Sequence, residues 1–340
     1  MKKILPILSV LGLLASSCVN PLEFRADQAP ELLVMNAMLR TDMTEHSVWL
    51  SLSTVDDAMP LEEAALHCYL NGKPAAEGVY IPEKIDEFYY SNHKSFCASR
   101  YDFSLEIHPG DEVRLEATYG DLRASATVKV PQAASLAPVD TVRIERSLYY
   151  AYAGYNVSSL GCNLHIQDQP GQDNWYRILA TYDGKAFGYE DGRRDIRNVW
   201  FEFTRDPILM DGNPTLQELD FSMAGVLTNL LSENIYCTFR DKPFADGRAD
   251  VQIEIFDGSV YDYYEAFEVD RSERDRHLYI DLLTITKEEY DYLNQLNNDV
   301  SHEAGGPLFQ EPVHMPVNVE GGMGFVSVAA VSRQELVLAN

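Results

Sequence analysis

Residues 101–131 read YDFSLEIHPGDEVRLEATYGDLRASATVKVP. Apolar residues recur here at every second position. Tyr101, Phe103, Leu105 and Ile107 form one set, Val113, Leu115, Ala117 and Tyr119 a second, and Ala124, Ala126, Val128 and Val130 a third. A period of two puts each set on one face of a half-buried strand. Pro109-Gly110-Asp111 separates the first two sets and Gly120-Asp121 the last two, which is hairpin chemistry. Toward the N-terminus, Val48, Leu50 and Leu52 repeat the alternation and Asn71-Gly72 marks another tight turn. About seven short strands in roughly a hundred residues, ending at Pro131, predict an immunoglobulin-like β-sandwich over residues 31–131.

The chain beyond it also reads as mainly β. Residues 132–138 are short, small and mixed in polarity, and read as a linker. The second β-rich domain, residues 139–340, has strand candidates at Val139–Glu145, Gly161–Ile166, Trp175–Tyr182, Val199–Thr204, Ala249–Phe256 and His277–Ile285. Asp-Gly pairs at 183–184, 191–192, 211–212 and 257–258 punctuate them. Thr286 and Glu289 have capping-box spacing, and Tyr290, Leu293 and Leu296 share one helical face, so a helix starts here. A shorter helix is expected between Leu219 and Ser232. Trp175 and Trp200 fall in strand candidates and are expected in the core.

The first residues address the chain to a compartment. Lys2 and Lys3 precede an apolar stretch from Ile4 to Ala15, too short to span a bilayer, and Ser16, Ser17 and Cys18 follow. This predicts a signal peptide over 1–17. Ala15-Ser16-Ser17-Cys18 resembles a bacterial lipobox, with Ala15 where that pattern prefers Leu. The resemblance implies lipidation of Cys18 and a tether over 18–30. Several acyl chains on one cysteine give lasting attachment.

The 340 residues hold 27 Lys+Arg against 53 Asp+Glu, a net charge of −26. Phosphate backbones want clustered cations, so this balance argues against nucleic acid as a partner. Five cysteines are present, and lipidating Cys18 leaves Cys68, Cys97, Cys162 and Cys237. An even set in an exported chain suggests disulfides with three possible connectivities. Cys68–Cys97 and Cys162–Cys237 keep each bond within one domain, and four buried free thiols are the competing reading. With no CxxC and no Cys/His cluster, zinc is not expected.

The run Thr284 to Leu293 with its Tyr290-Asp291-Tyr292-Leu293, the element Pro307 to Val313 ending Glu311-Pro312-Val313, and the turn Asn318-Val319-Glu320-Gly321-Gly322-Met323-Gly324-Phe325 occur in combination. Together they resemble the end of a Bacteroidota lipoprotein family catalogued as domain of unknown function 4249. Leu33-Val34-Met35-Asn36 fits the same family's first strand. Ser327-Val328-Ala329-Ala330 departs from its usual aromatic closure. The resemblance covers most of the mature chain and its motifs are structural. It implies an outer-membrane lipoprotein, often encoded beside TonB-dependent transporters, and carries no catalytic residues.

Residue patterns for catalysis are thin. Gly321-Gly322-Met323-Gly324 lacks the spacing, the following helix and the Lys-Ser/Thr of a phosphate loop, and reads as a turn leading into the last strand. Asp183, Glu190, Asp191 and Asp195 lie close in sequence, but Arg193, Arg194 and Arg197 among them favour a solvated loop over a calcium site. No HExxH and no Gly-x-Ser-x-Gly elbow occurs. Cofactors are not expected. Tyr149, Tyr150, Tyr152 and Tyr155 could form an aromatic binding face, against an ordinary role in strand packing. Asp140-Thr141-Val142 resembles the Asp-Ser/Thr-aliphatic O-glycan acceptor of exported Bacteroidota proteins, which makes Thr141 a candidate. The expected function is a non-enzymatic, surface-facing, lipid-anchored binding or accessory subunit associated with a TonB-dependent β-barrel transporter. The alternative is an exported glycan-active hydrolase.

Overall fold

The computed structural model describes residues 30–53, 61–82, 98–150, 153–168, 171–183, 197–198, 206–210, 234, 236–256, 276–303 and 315–338. The first eight strands are β1 (Leu33–Arg40), β2 (Glu45–Leu52), β3 (Ala65–Leu70), β4 (Lys73–Glu77), β5 (Val79–Ile81), β6 (Ser99–Ser104), β7 (Glu112–Tyr119) and β8 (Leu122–Lys129). They pair as β1-β2-β6-β5 and β4-β3-β7-β8, and the two sets enclose one core. Leu33, Met35, Ala37 and Leu39 of β1 are buried at alternate positions, as are Val113, Leu115 and Ala117 of β7. Burying such side chains stabilises by about 1.5–3 kcal/mol each. Asn71 (φ 51°) and Gly72 (φ 75°) close the β3–β4 hairpin with both central residues left-handed, the geometry that selects Asn-Gly.

The second half contains β9 (Ser135–Leu136), β10 (Asp140–Tyr150), β11 (Ala153–Gln167), β12 (Trp175–Asp183), β13 (Arg197–Asn198), the four-residue α1 (Pro207–Met210), β14 (Thr238–Arg240), β15 (Arg248–Phe256), β16 (Arg276–Ile285), α2 (Lys287–Glu303) and β17 (Val326–Leu338). The fold is mainly β with several sheets and two short helices among the described residues. The helix expected over 219–232 and the strand expected over 199–204 lie outside the described residues.

One sheet runs through both halves, in the order β13-β12-β16-β17-β1-β2-β6-β5 with β14 also on β12. Its pivot is β17. Val326–Ala329 pair in parallel with Ala37–Arg40, and Ala330–Leu338 pair antiparallel with β16. Val319, Val326, Val328 and Ala330 therefore belong to the first core, although they stand near the end of the chain. The second core lies between β12 and β16 on one side and the β10-β11-β15 sheet on the other. On the opposite face of the long sheet, Leu293 of α2 packs with Leu283, Ile285 and Ala329.

Residues 132–138 are not a free linker. Ala134 and Leu136 are buried, Ala134 N–H donates to Thr284 Oγ1 at 3.0 Å, and β9 pairs with Ile166 and Gln167 of β11. This stretch threads between the halves and builds one wall of the cleft described next.

Candidate functional site

A cleft of about 280 Å³ opens where residues 132–135 cross the end of β11. Gln132, Gln167, Asp168, Gln172, Asn174 and Tyr176 contribute its polar lining. Its floor is set by Tyr176, the second residue of β12, which is fully buried and stacked on Phe244 at 5.7 Å with an interplanar angle of 2°. A phenol in that position must find an acceptor. Asp168 Oδ2 accepts the Tyr176 hydroxyl in a short hydrogen bond. Burial, then the Asp168 hydrogen bond and charge, push the Tyr176 phenol far above its ordinary range, so it stays a donor. The same Oδ2 accepts Asn174 Nδ2 at 3.1 Å. Asn174 also donates through its backbone N–H (2.9 Å) and Nδ2 (3.1 Å) to Asp241 Oδ2. Burial raises the Asp241 carboxyl, and the charges of Asp168 and Asp173 add to the rise against the Asn174 hydrogen bonds. Two carboxylates are thus held by neutral donors, and the cleft carries a negative field. Asp168 Oδ1 and the side-chain amides of Gln132, Gln167 and Gln172 make no hydrogen bond among the described residues.

Two further polar clusters sit on the long sheet. Asp281 of β16, with a side chain 1% exposed, accepts Arg333 Nε at 2.6 Å, Arg333 Nη2 at 2.8 Å and Arg40 Nη2 at 2.5 Å. Asp42 binds the same two arginines from outside, at 2.8 and 2.9 Å. Burial opposes ionisation of Asp281, but the Arg333 and Arg40 hydrogen bonds prevail and hold its carboxyl below the usual range. This cluster joins β1, β16 and β17 at the point where β17 changes partners. The second cluster lies under α2. Thr286 Oγ1 caps the helix by accepting the Glu289 N–H at 3.2 Å. The Glu289 side chain does not cap; it is buried, and burial raises its carboxyl to about 7 against the opposing charge of Arg177. Glu289 Oε2, Arg177 Nε and Ser327 Oγ have no hydrogen-bond partner among the described residues.

The glycine-rich turn is a structural stitch. Met35 N–H donates to Met323 O (2.8 Å), Met323 N–H to Leu33 O (2.9 Å), and Glu320 and Ser125 exchange backbone hydrogen bonds at 2.7 and 2.9 Å. Asn36 Oδ1 accepts Phe325 N–H, and Asn318 clamps Val326 through both backbone groups. A Cβ on Gly322 would come within 2.3 Å of Leu33 O, and one on Gly324 (φ 112°) within 2.2 Å of Met35 O. Tyr292 of α2 stacks on Phe325 at 4.3 Å. The Asn-Val-x-Gly-Gly-x-Gly-Phe element and the Tyr-x-Tyr-Leu helix therefore meet at Phe325; the turn bonds to β1, and the helix packs on β16 and β17. A family model described as Domain of unknown function (DUF4249) matches residues 19–335.

The chain belongs to this family.

No curated protein matches it. Among solved structures, a crystal structure of bovine butyrophilin is similar at 9% identity and a TM-score of 0.20, covering 92% of this chain and 100% of that one.

In this DUF4249 member the expected Cys162–Cys237 disulfide is absent. Cys162 on β11 and Cys237 beside β14 are free thiols in the second core, each flanked by apolar residues, and Cys68 is a free thiol in the first. Burial pushes all three thiols up to about 12, the behaviour of a small apolar side chain and not of a reactive group. Cys97, the partner expected for Cys68, lies outside the described residues, as does Cys18. Thr141 is exposed on β10, opposite Cys162, and its neighbour Asp140 accepts from His165 at 3.2 Å. Tyr149 and Tyr150 end β10 and Tyr155 pairs with Leu148, but none of their side chains is described, and Tyr152 lies outside the described residues. Asp183 and Arg197 lie on β12 and β13, with Glu190, Asp191, Arg193, Arg194 and Asp195 between them outside the described residues. Trp175 is half-buried beside α2, and Trp200 is not described. Among the described residues no group of three or more His, Cys, Asp or Glu is arranged for a metal ion. No helix among them is long and apolar enough to cross a membrane. The cleft was missed by sequence reasoning. Its signal was the two amide and acid triplets Gln167-Asp168-Gln169 and Gln172-Asp173-Asn174, parted by Pro170-Gly171, between two strand candidates.

Proposed function

We propose that this chain is a non-enzymatic, lipid-anchored outer-membrane subunit that binds or displays a ligand beside a TonB-dependent β-barrel transporter. The observation that carries the reading is where the family's motif residues go. Asn36, Asn318, Gly321, Gly322, Gly324 and Phe325 are spent on backbone hydrogen bonds and close approach. The residues that mark the family build a scaffold, which leaves function to the surface the scaffold presents. Anchoring through Cys18 and a surface-facing orientation complete the reading.

The first module is immunoglobulin-like on this reading. The strand order β1-β2-β6-β5 over β4-β3-β7-β8 corresponds to A-B-E-D over C′-C-F-G, which supports that assignment. Thr141, exposed on an edge strand, remains the proposed O-glycan acceptor. Intact-mass measurement on protein from its native host checks it, and a mass explained by chain plus lipid alone would exclude the modification.

One observation bears on the alternative, an exported glycan-active hydrolase. Asp168 and Asp241 share the Asn174 amide, and Asp241 has a raised carboxyl. A hydrolase pair must face the substrate together. Asp241 does not line the cleft, and its Oδ2 is already taken by Asn174. The accessory reading is tested by purifying the native protein from detergent-solubilised membranes. A stoichiometric β-barrel partner is expected, and a clean monomer would overturn it.

A further inference from the structure

We propose that the cleft between residues 132–135 and β12 is a binding site for one uncharged, hydroxyl-rich ring, such as a terminal sugar residue of a glycan. The inference rests on the binding-subunit reading and supplies its ligand class.

Three features of the cleft lead there. The first is preorganisation. Asp168 is held by a buried phenol and by Asn174, so its free Oδ1 is a fixed acceptor that costs no ordering on binding. Holding a carboxylate with neutral donors, and with no arginine or lysine partner among the described residues, leaves an oxygen for a ligand's donor.

The second is the make-up of the walls. The Gln132, Gln167 and Gln172 amides each offer a donor and an acceptor, and none is spent inside the described protein. A hydroxyl is likewise both donor and acceptor, so a ring with several hydroxyls can satisfy amides and carboxylate together. A phosphate or carboxylate ligand would meet Asp168 with like charge, and Asp241 behind Asn174 would add to the repulsion.

The third is size. A cleft of about 280 Å³ lies at the lower edge of ordinary ligand sites. That admits one ring and excludes a long chain lying in the groove. The buried Tyr176 ring, stacked within the core, does not offer a stacking platform. Recognition therefore runs through hydrogen bonds to ring hydroxyls.

The test uses the full mature chain with its signal peptide removed. Saturation-transfer NMR is recorded with methyl glycosides of glucose, galactose, mannose and N-acetylglucosamine, and with triglycine and putrescine as comparison probes. Transfer to at least one glycoside is expected. Gln172→Ala, at an exposed position, and Asp168→Asn, which keeps the acceptor for Tyr176 while turning the free oxygen into a donor, should each weaken that glycoside at least tenfold with an unchanged melting temperature. No transfer to any glycoside, equal transfer in both variants, or transfer confined to triglycine or putrescine would overturn the proposal. Asp168→Asn should still co-purify with the β-barrel partner. If the wild type co-purifies with the partner but binds no sugar, the ligand class fails and the accessory reading stands; if the wild type lacks the partner, the accessory reading fails by itself.

Discussion

Replacing Asp281 by Ala removes the carboxylate that joins the chain's two halves. It breaks three charge-assisted hydrogen bonds, two from Arg333 and one from Arg40. Each such bond is worth about 1.5–3 kcal/mol, and removing one partner of a buried ion pair costs about 3–5 kcal/mol. Two facts reduce that figure here. The Arg333 side chain is 41% exposed, so water takes over part of its solvation. Asp42 still binds both arginines, so neither is left without a carboxylate. A loss of about 3 kcal/mol is expected. At roughly 2.1 cal/mol/K of unfolding entropy per residue, a chain of roughly 320 residues loses about 1.5 °C per kcal/mol, so thermal melts should fall by about 4–5 °C. Equilibrium urea unfolding of the soluble mature chain reads the same quantity. The double variant Asp281→Ala/Arg333→Ala should lose less than the sum of the single changes, because the second removal has little left to break. A loss below about 1 kcal/mol, or strict additivity, would refute the reasoning and assign the clasp to Asp42. The pH dependence follows from the same contacts. Asp281 is depressed in the folded state, so its contribution is present above the unfolded value near 4 and is lost as pH falls through the folded value.

Three other outcomes are expected. Glu289 has the opposite sign: its folded carboxyl, near 7, lies above the unfolded value, so the native state is favoured at low pH and loses stability as pH rises toward 7. Glu289→Gln should therefore raise the melting temperature at pH 8 and leave it nearly unchanged at pH 4; an equal effect at both would show that the carboxyl does not titrate there. Gly324→Ala forces a Cβ within 2.2 Å of Met35 O at φ 112°, and a loss of about 4 kcal/mol or more, or failure to fold, is expected; an unchanged melt would mean that the turn sits elsewhere. Cys18→Ala should move the protein from the membrane to the soluble fraction, and a variant that still resists salt wash would remove the anchor from the proposal.

The sandwich strands were legible because each buries one face, so the period of two survives in the sequence. Val113, Leu115 and Ala117 could hardly be read otherwise, and Asn71-Gly72 announced its own left-handed turn. The pivot β17 did not announce its partners, for a physical reason. Phe325 to Ala330 are all buried, between the first core on one face and α2 on the other, so polarity does not alternate there. A strand buried on both faces gives no clue to which strands flank it. Thr286 was legible as a cap, but the Glu three residues on looked like its reciprocal partner and instead turned inward toward Arg177. The cysteines misled through parity alone: an even count is compatible with bonds, yet Cys162 and Cys237 are small apolar side chains in a filled core. The cleft was hidden because its polar residues look like any solvated turn, and only the buried Tyr176 beneath them gives Asp168 a fixed direction. The C-terminal motif is the most instructive case. Its glycines read as a turn leading into the last strand, and Gly322 and Gly324 stand where Leu33 O and Met35 O come too close for any side chain. Asn36 and Asn318 stand in for missing backbone partners where β17 leaves its turn. The first module is thus completed by residues nearly three hundred positions away, since β1 meets the turn and β17 across that separation. A chain cut after residue 131 would expose the edge of β1 and lose Val319, Val326, Val328 and Ala330 from its core. The first core therefore closes only with the turn at 318–325 and β17 in place.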